Sequence, residues 1–202
     1  MGKKVILMLF CASVLISGCK RGSFSISGTI DGAGDGEYLL LKEVKPGILE
    51  PVDSVVPGKD GRFSFRSETG WPAFFMLSMD DDDFLTMLIA PGEKIEVKAA
   101  RNSMARPSSV TGSEGTSVIL GFRKDQDEVV AGLKKLTDTY NDSIDSPRRP
   151  LLMDSLDRRA ADIVAGFRAR ALTLLNENRS SMIPVYLLNQ HVVPGLALFE
   201  PA

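Results

Sequence analysis

From residue 24 to about residue 112 the apolar positions fall in short runs separated by glycine, proline and aspartate, a spacing that predicts strands and tight turns. Phe24, Ile26 and Gly28 alternate with serines, and Ile30 runs into Asp31-Gly32-Ala33-Gly34-Asp35-Gly36, a turn at which two strands are expected to meet. Residues 38–44 form the next run, ended by Lys45-Pro46-Gly47, and residues 51–56 precede Lys59-Asp60-Gly61. The Asp-Gly pair before Arg62-Phe63-Ser64-Phe65-Arg66 predicts a hairpin with Phe63 and Phe65 together in the core. Residues 71–79 and 84–90 flank four aspartates. Pro91-Gly92-Glu93 then turns the chain into Lys94-Ile95-Glu96-Val97-Lys98, a clean inside/outside alternation. With a last strand at 109–111, about eight short strands predict an all-β antiparallel sandwich, jelly-roll-like, over residues 24–112.

Beyond residue 112 the period lengthens. Val118, Phe122, Val129, Leu133, Leu136 and Tyr140 recur at steps of three, four or their sum, while Lys134, Lys135 and Asp138 fall on another face, which predicts an amphipathic helix. Asp145-Ser146-Pro147 is expected to end it. Leu152, Leu156, Ala160, Ile163, Phe167 and Leu174 continue the pattern in a second helix, close enough in sequence to be an antiparallel neighbour. The charges of residues 154–170 read as its solvated face. A third helix is expected near Ser181, with Pro184 in its first turn, carrying Val185, Leu187, Leu188 and His191. The helical region thus covers 113–193. Residues 194–202 are apolar and read as the start of a further element.

Residues 1–18 have the layout of an export signal: Lys3 and Lys4, an apolar stretch over 5–16 too short to span a bilayer, then small residues. Leu15-Ile16-Ser17-Gly18-Cys19 resembles the bacterial lipobox, with cleavage expected between Gly18 and Cys19. The Cys19 thiol would take up the lipid, residues 19–23 would form the tether, and the membrane becomes a partner through that lipid. Lys20 stands where an inner-membrane retention signal places Asp, so sorting to the outer membrane, facing the periplasm, is expected. Cys11 leaves with the signal, so no free thiol or disulfide is expected in the mature protein.

Charge narrows the partners. The chain has 24 basic and 26 acidic residues, a formal net charge of −2 that becomes −4 when Lys3 and Lys4 are lost. No basic cluster longer than a pair is present, which argues against nucleic acid.

Four segments together resemble a known family. Phe24-Ser-Ile-Ser-Gly-Thr-Ile30, Tyr38-Leu-Leu-Leu-Lys42, Val52-Asp53-Ser54 with Gly61-Arg-Phe-Ser-Phe65, and Leu88-Ile-Ala-Pro-Gly-Glu-Lys-Ile-Glu-Val97 look like the N-terminal β domain of the domain-of-unknown-function family 4369. In that family the domain commonly follows a lipobox and precedes a helical linker and a thioredoxin-like domain, in lipid-anchored thiol:disulfide interchange proteins. Pro184-Val-Tyr-Leu-Leu188 and the helices before it look like that linker. The resemblance implies an envelope location, but these residues hold no Cys-x-x-Cys, so no catalytic residue carries over and no cofactor is implied. The expected function is a non-catalytic accessory or scaffold module of the outer membrane. The alternative is a stand-alone β-sandwich protein that binds a glycan or another cell-envelope component.

Candidate sites are few. Trp71 with Phe74 and Phe75 could offer an aromatic platform to a sugar, although alternation cannot put all three on one face and a buried strand is the simpler account. Asp80, Asp81, Asp82 and Asp83 could attract Ca²⁺, but they lack the alternating spacing of a calcium loop and read as a solvated turn. His191 is the only histidine, so it has no second histidine for a metal cluster and is expected to bond locally. Glu50 and Asp53 could pair as hydrolytic carboxylates only if their separation were fixed. Apolar helix faces built to meet a following domain would favour self-association after residue 112.

Overall fold

We describe the fold from a computed structural model covering residues 22–143 and 149–199. The signal peptide, Cys19 and the interhelical Asp145-Ser146-Pro147 lie outside the described residues. Strands β1 (Ser23–Asp31), β4 (Arg62–Glu68), β7 (Lys94–Ala100) and β8 (Ser109–Thr111) form one sheet in the order β4-β1-β7-β8. Strands β2 (Leu39–Lys45), β3 (Ile48–Val55), β5 (Ala73–Ser78) and β6 (Phe84–Ile89) form a second, in the order β3-β2-β5-β6. The sheets pack face to face as the alternation dictates: Ile95, Val97 and Ala99 of β7 point inward while Lys94, Glu96 and Lys98 stay exposed. Phe63 and Phe65 are buried, as expected, and Phe24 meets Phe75 across the sheets with ring centroids 4.9 Å apart.

The β-sandwich is thus present, with three local differences from the expected connectivity. The Gly-rich segment after β1 and the Asp60-Gly61 turn do not close hairpins, because each carries the chain from one sheet to the other. Residues 56–61, with Pro57 lacking an N–H, are long enough for that crossing, and β4 pairs with β1 instead of β3. One pair, β1 with β7, is parallel, so the sandwich is antiparallel in every other pairing of its strands. Finally, β5 begins only at Ala73, since Pro72 has no N–H to give to a neighbouring strand. Trp71 therefore lies in the turn before it.

Helix α1 (Glu114–Asp142) is fastened to the sandwich through its cap. Ser113 Oγ accepts from the Thr116 N–H at 3.2 Å and donates to the Leu88 carbonyl at 2.8 Å. Thr116 Oγ1 accepts from the Leu88 N–H and donates to the same carbonyl, both at 3.2 Å. Leu88 lies on β6, an edge strand, so the start of the helix satisfies backbone groups the sheet would otherwise leave open. Farther along, the Arg106 guanidinium makes two 2.7 Å bonds to the Asp127 carboxylate, which that pairing holds below its usual pKa.

Helix α2 (Arg149–Glu177) runs back along α1, with Phe122 stacked on Phe167 at 5.3 Å near one end and Tyr140 beside Met153 and Leu156 near the other. The facing stripes form a second core with Ile119, Val129, Ala171 and the short helix α3 (Ile183–Leu188). Pro184 sits in the first turn of α3, and Ser181 Oγ accepts from the Ile183 N–H at 3.1 Å. The helix ends at Leu188, so His191 is not helical: it opens β9 (His191–Val193), which pairs with β10 (Leu196–Ala197). Asn189 and Gln190 turn their side-chain amides back onto the Val185 and Tyr186 carbonyls, which closes the helix one turn earlier than its apolar pattern suggests. Val192 and Leu198 are fully buried in the second core, so residues 191–199 fold back onto the helices.

Candidate functional site

The outer face of the second sheet is unusually apolar. Residues on β2, β5 and β6 that point away from the sandwich core include Val44, Phe74, Met76 and Phe84, where a solvated face would carry polar side chains. Helix α1 covers the Leu88 end of this face, and α3 stands over its middle. Between α3 and the strands lies a cavity of about 540 Å³, lined by Val44, Leu49, Phe74, Met76, Phe84 and Thr86 from the sheet side and by Val185 and Tyr186 from α3. Asn189, Gln190 and Asp81 supply its polar margin. The volume is that of a small-molecule site, and the lining suits an apolar occupant.

Tyr186 sets the geometry of this opening. Its ring lies 6.3 Å from Phe74 on one side and meets Phe122 edge-on at 6.0 Å on the other, so it bridges the sheet face and the second core. Burial raises the Tyr186 pKa above the usual phenol value, partly offset by the neighbouring Arg123, so the hydroxyl is neutral at physiological pH. Asp81 is almost fully exposed and pairs with Lys42 at 3.3 Å. The cavity is open to solvent on one side and can hold an apolar molecule against Phe74 and Tyr186; its lining contains no nucleophile held beside a base.

The residues singled out from sequence are scattered. Phe74 lines the cavity, whereas Trp71 is 72% exposed in the turn before β5 and does not. Phe75 points the other way, into the sandwich core. In the aspartate run, Asp80 Oδ1 accepts from the N–H groups of Asp82 and Asp83. The Asp83 carboxylate accepts from the Met104 and Ala105 N–H groups at 2.7 and 2.8 Å. These carboxylates brace a turn and pin the 101–106 loop. Among the described residues no group of three or more His, Cys, Asp or Glu is placed to hold a metal ion. Glu50 pairs with Lys45, while Asp53 accepts from the Ser54 N–H, so neither faces the other as an acid and base would. The His191 side chain is exposed, and its carbonyl accepts from the Gln126 side chain.

The cavity depends on residues of the segment that resembles the family's helical linker, above all Tyr186. The available signal was the outward set Phe74, Met76 and Phe84, too apolar for a face in water.

Residues 24–117 match the family model described as Domain of unknown function (DUF4369), and the β-rich part of this chain is such a domain. Comparison with curated proteins and with solved structures gave no match. The family segment stops four residues into α1, so it contains the Ser113 and Thr116 contacts to Leu88 and leaves out α3 and its side of the cavity.

Proposed function

We propose that this protein is an outer-membrane-anchored, periplasm-facing lipoprotein whose sandwich and helices form a non-catalytic accessory or scaffold module, resembling the front part of a thiol:disulfide interchange protein. The observation that carries this reading is Leu15-Ile16-Ser17-Gly18-Cys19, a lipobox ending four residues before β1 begins. The DUF4369 segment supports it, as does the absence of cysteine after position 19 in these 202 residues. Protein extracted from native membranes is expected to carry diacylglyceryl on Cys19 by intact mass. Cys19→Ser is expected to abolish that mass and release the protein from the outer-membrane fraction. An unmodified Cys19 overturns the anchoring, and thiol-dependent reduction of a test disulfide by the purified protein overturns the non-catalytic role.

A second reading, a binding protein for a cell-envelope component, is favoured by the cavity under α3. Its lining makes an apolar compound a better fit than a glycan. Val185 lines the cavity and is half exposed, so Val185→Lys puts a charge at the opening with little cost to the fold. That change is expected to weaken binding of a neutral apolar dye such as Nile red by roughly ten-fold, about 1.4 kcal/mol, with an unchanged melting midpoint. Equal dye binding by both proteins would remove the cavity from consideration.

A further inference from the structure

We propose that the end of the sandwich bearing Trp71 lies against the lipid bilayer, with Trp71 seated at the headgroup level. The inference rests on the anchoring proposed above and adds which surface the anchor presents to the membrane.

The strand registers define the two ends of the sandwich. The Gly22 carbonyl, just ahead of β1, accepts from the Thr69 N–H, and the Gly92 N–H donates to the Ser23 carbonyl. The β4–β5 turn with Trp71 and the β6–β7 turn with Pro91 therefore flank the point where the chain enters the sheet. The β2–β3 turn lies beyond the Glu43–Phe75 pairing, toward Ala73, at this same end. There Ile48 is 60% exposed and Trp71 72%. Cys19 precedes Gly22 by three residues, so the chain between them spans at most about 10 Å. A lipid on Cys19 cannot seat in a bilayer without bringing the entry point of β1, and the apolar turns beside it, close to the headgroups.

The opposite end differs in carrying more carboxylates, Asp31, Asp35, Asp60 and the run at 80–83, beside Lys59 and Arg62, and its exposed apolar side chains, Tyr38 and Val56, lie away from the tether. The tether end is not strongly basic: Lys45 is paired with Glu43 and Glu50, and Arg66 and Lys94 stand at the same end as Glu68 and Glu93. Contact with the bilayer therefore draws on the amphipathic indole and the Ile48 side chain, and it does not require anionic lipid.

Two features of the sequence make the test clean: Trp71 is the only tryptophan, and Cys19 is the only cysteine once residues 1–18 are removed. The chain from Cys19 onward would be coupled through that thiol to a maleimide lipid in phosphatidylcholine vesicles. This anchors it whether or not the cell lipidates it, so failure of the face and failure of natural anchoring are read separately. Trp71 emission is expected to move to shorter wavelength on coupling and to be quenched by nitroxide-labelled lipid, at low and high salt alike. In the double variant Trp71→Phe with Tyr38→Trp the reporter moves to the acidic end, where emission is expected to stay water-like and unquenched. Unquenched Trp71, or equal quenching at both positions, overturns the proposed orientation.

Discussion

Replacing Gly28 with alanine is expected to destabilise the protein by about 3 kcal/mol, lowering the melting midpoint by roughly 6–12 °C. Gly28 lies in the middle of β1, paired with Phe63 of β4 on one side and Val97 of β7 on the other. A Cβ at this position would overlap the Val97 carbonyl oxygen and lie 2.7 Å from its carbon, and both atoms belong to backbone that cannot swing aside as a flexible side chain would. Relief requires β1 and β7 to part where Ile26 and Ile95 seal the core. Gly47 is the comparison, because it has a positive φ of 76° but open space around it. Gly47→Ala is expected to cost about 1 kcal/mol from backbone conformation alone. Urea unfolding of both variants separates the effects, and equal losses would show that the close approach of β1 to β7 carries no special weight.

The parts of this fold that were legible in sequence are those set by local pattern. Period-two alternation in residues 94–98 puts Ile95 and Val97 in the core without reference to any partner strand. Three- and four-residue spacing likewise identifies α1 and α2, and Ser181 with Pro184 marks the start of α3. Pairing partners were not legible. An Asp-Gly turn looks the same whether the next strand stays in the sheet or crosses to the other, so the sheet switch at Asp60-Gly61 and the parallel β1–β7 pair are set by long-range packing. The cavity was less legible still, since it arises where an outward-facing strand position, Phe74, meets Tyr186 more than a hundred residues later. No periodicity connects two such positions. The end of α3 also escaped, because the apolar pattern continues to Val192 while the Asn189 and Gln190 amides turn back on the helix and close it.

Phe122→Ala is expected to cost about 3–5 kcal/mol and to weaken dye binding in a cavity that Phe122 does not line. Its buried ring stacks on Phe167 and receives Tyr186 edge-on, so truncation leaves a void at the point where α1, α2 and α3 meet. Tyr186 forms one wall of the cavity and touches Phe74 on its other side. With its backing removed, the ring can relax toward α1, and α3 loses the contact that sets its height above the sheet. The sandwich core is a separate cluster that does not include Phe122, and the Leu88 contacts of Ser113 and Thr116 remain to hold the start of α1. Hydrogen exchange is therefore expected to speed up in α2, α3 and β9 while β1 and β7 keep their protection. If protection falls equally in β1 and β7, the two cores unfold as one unit and the helices support the sandwich as much as they rest on it. If the helices loosen and dye binding is unchanged, the sheet face alone holds the dye, and Tyr186 is no part of the binding surface.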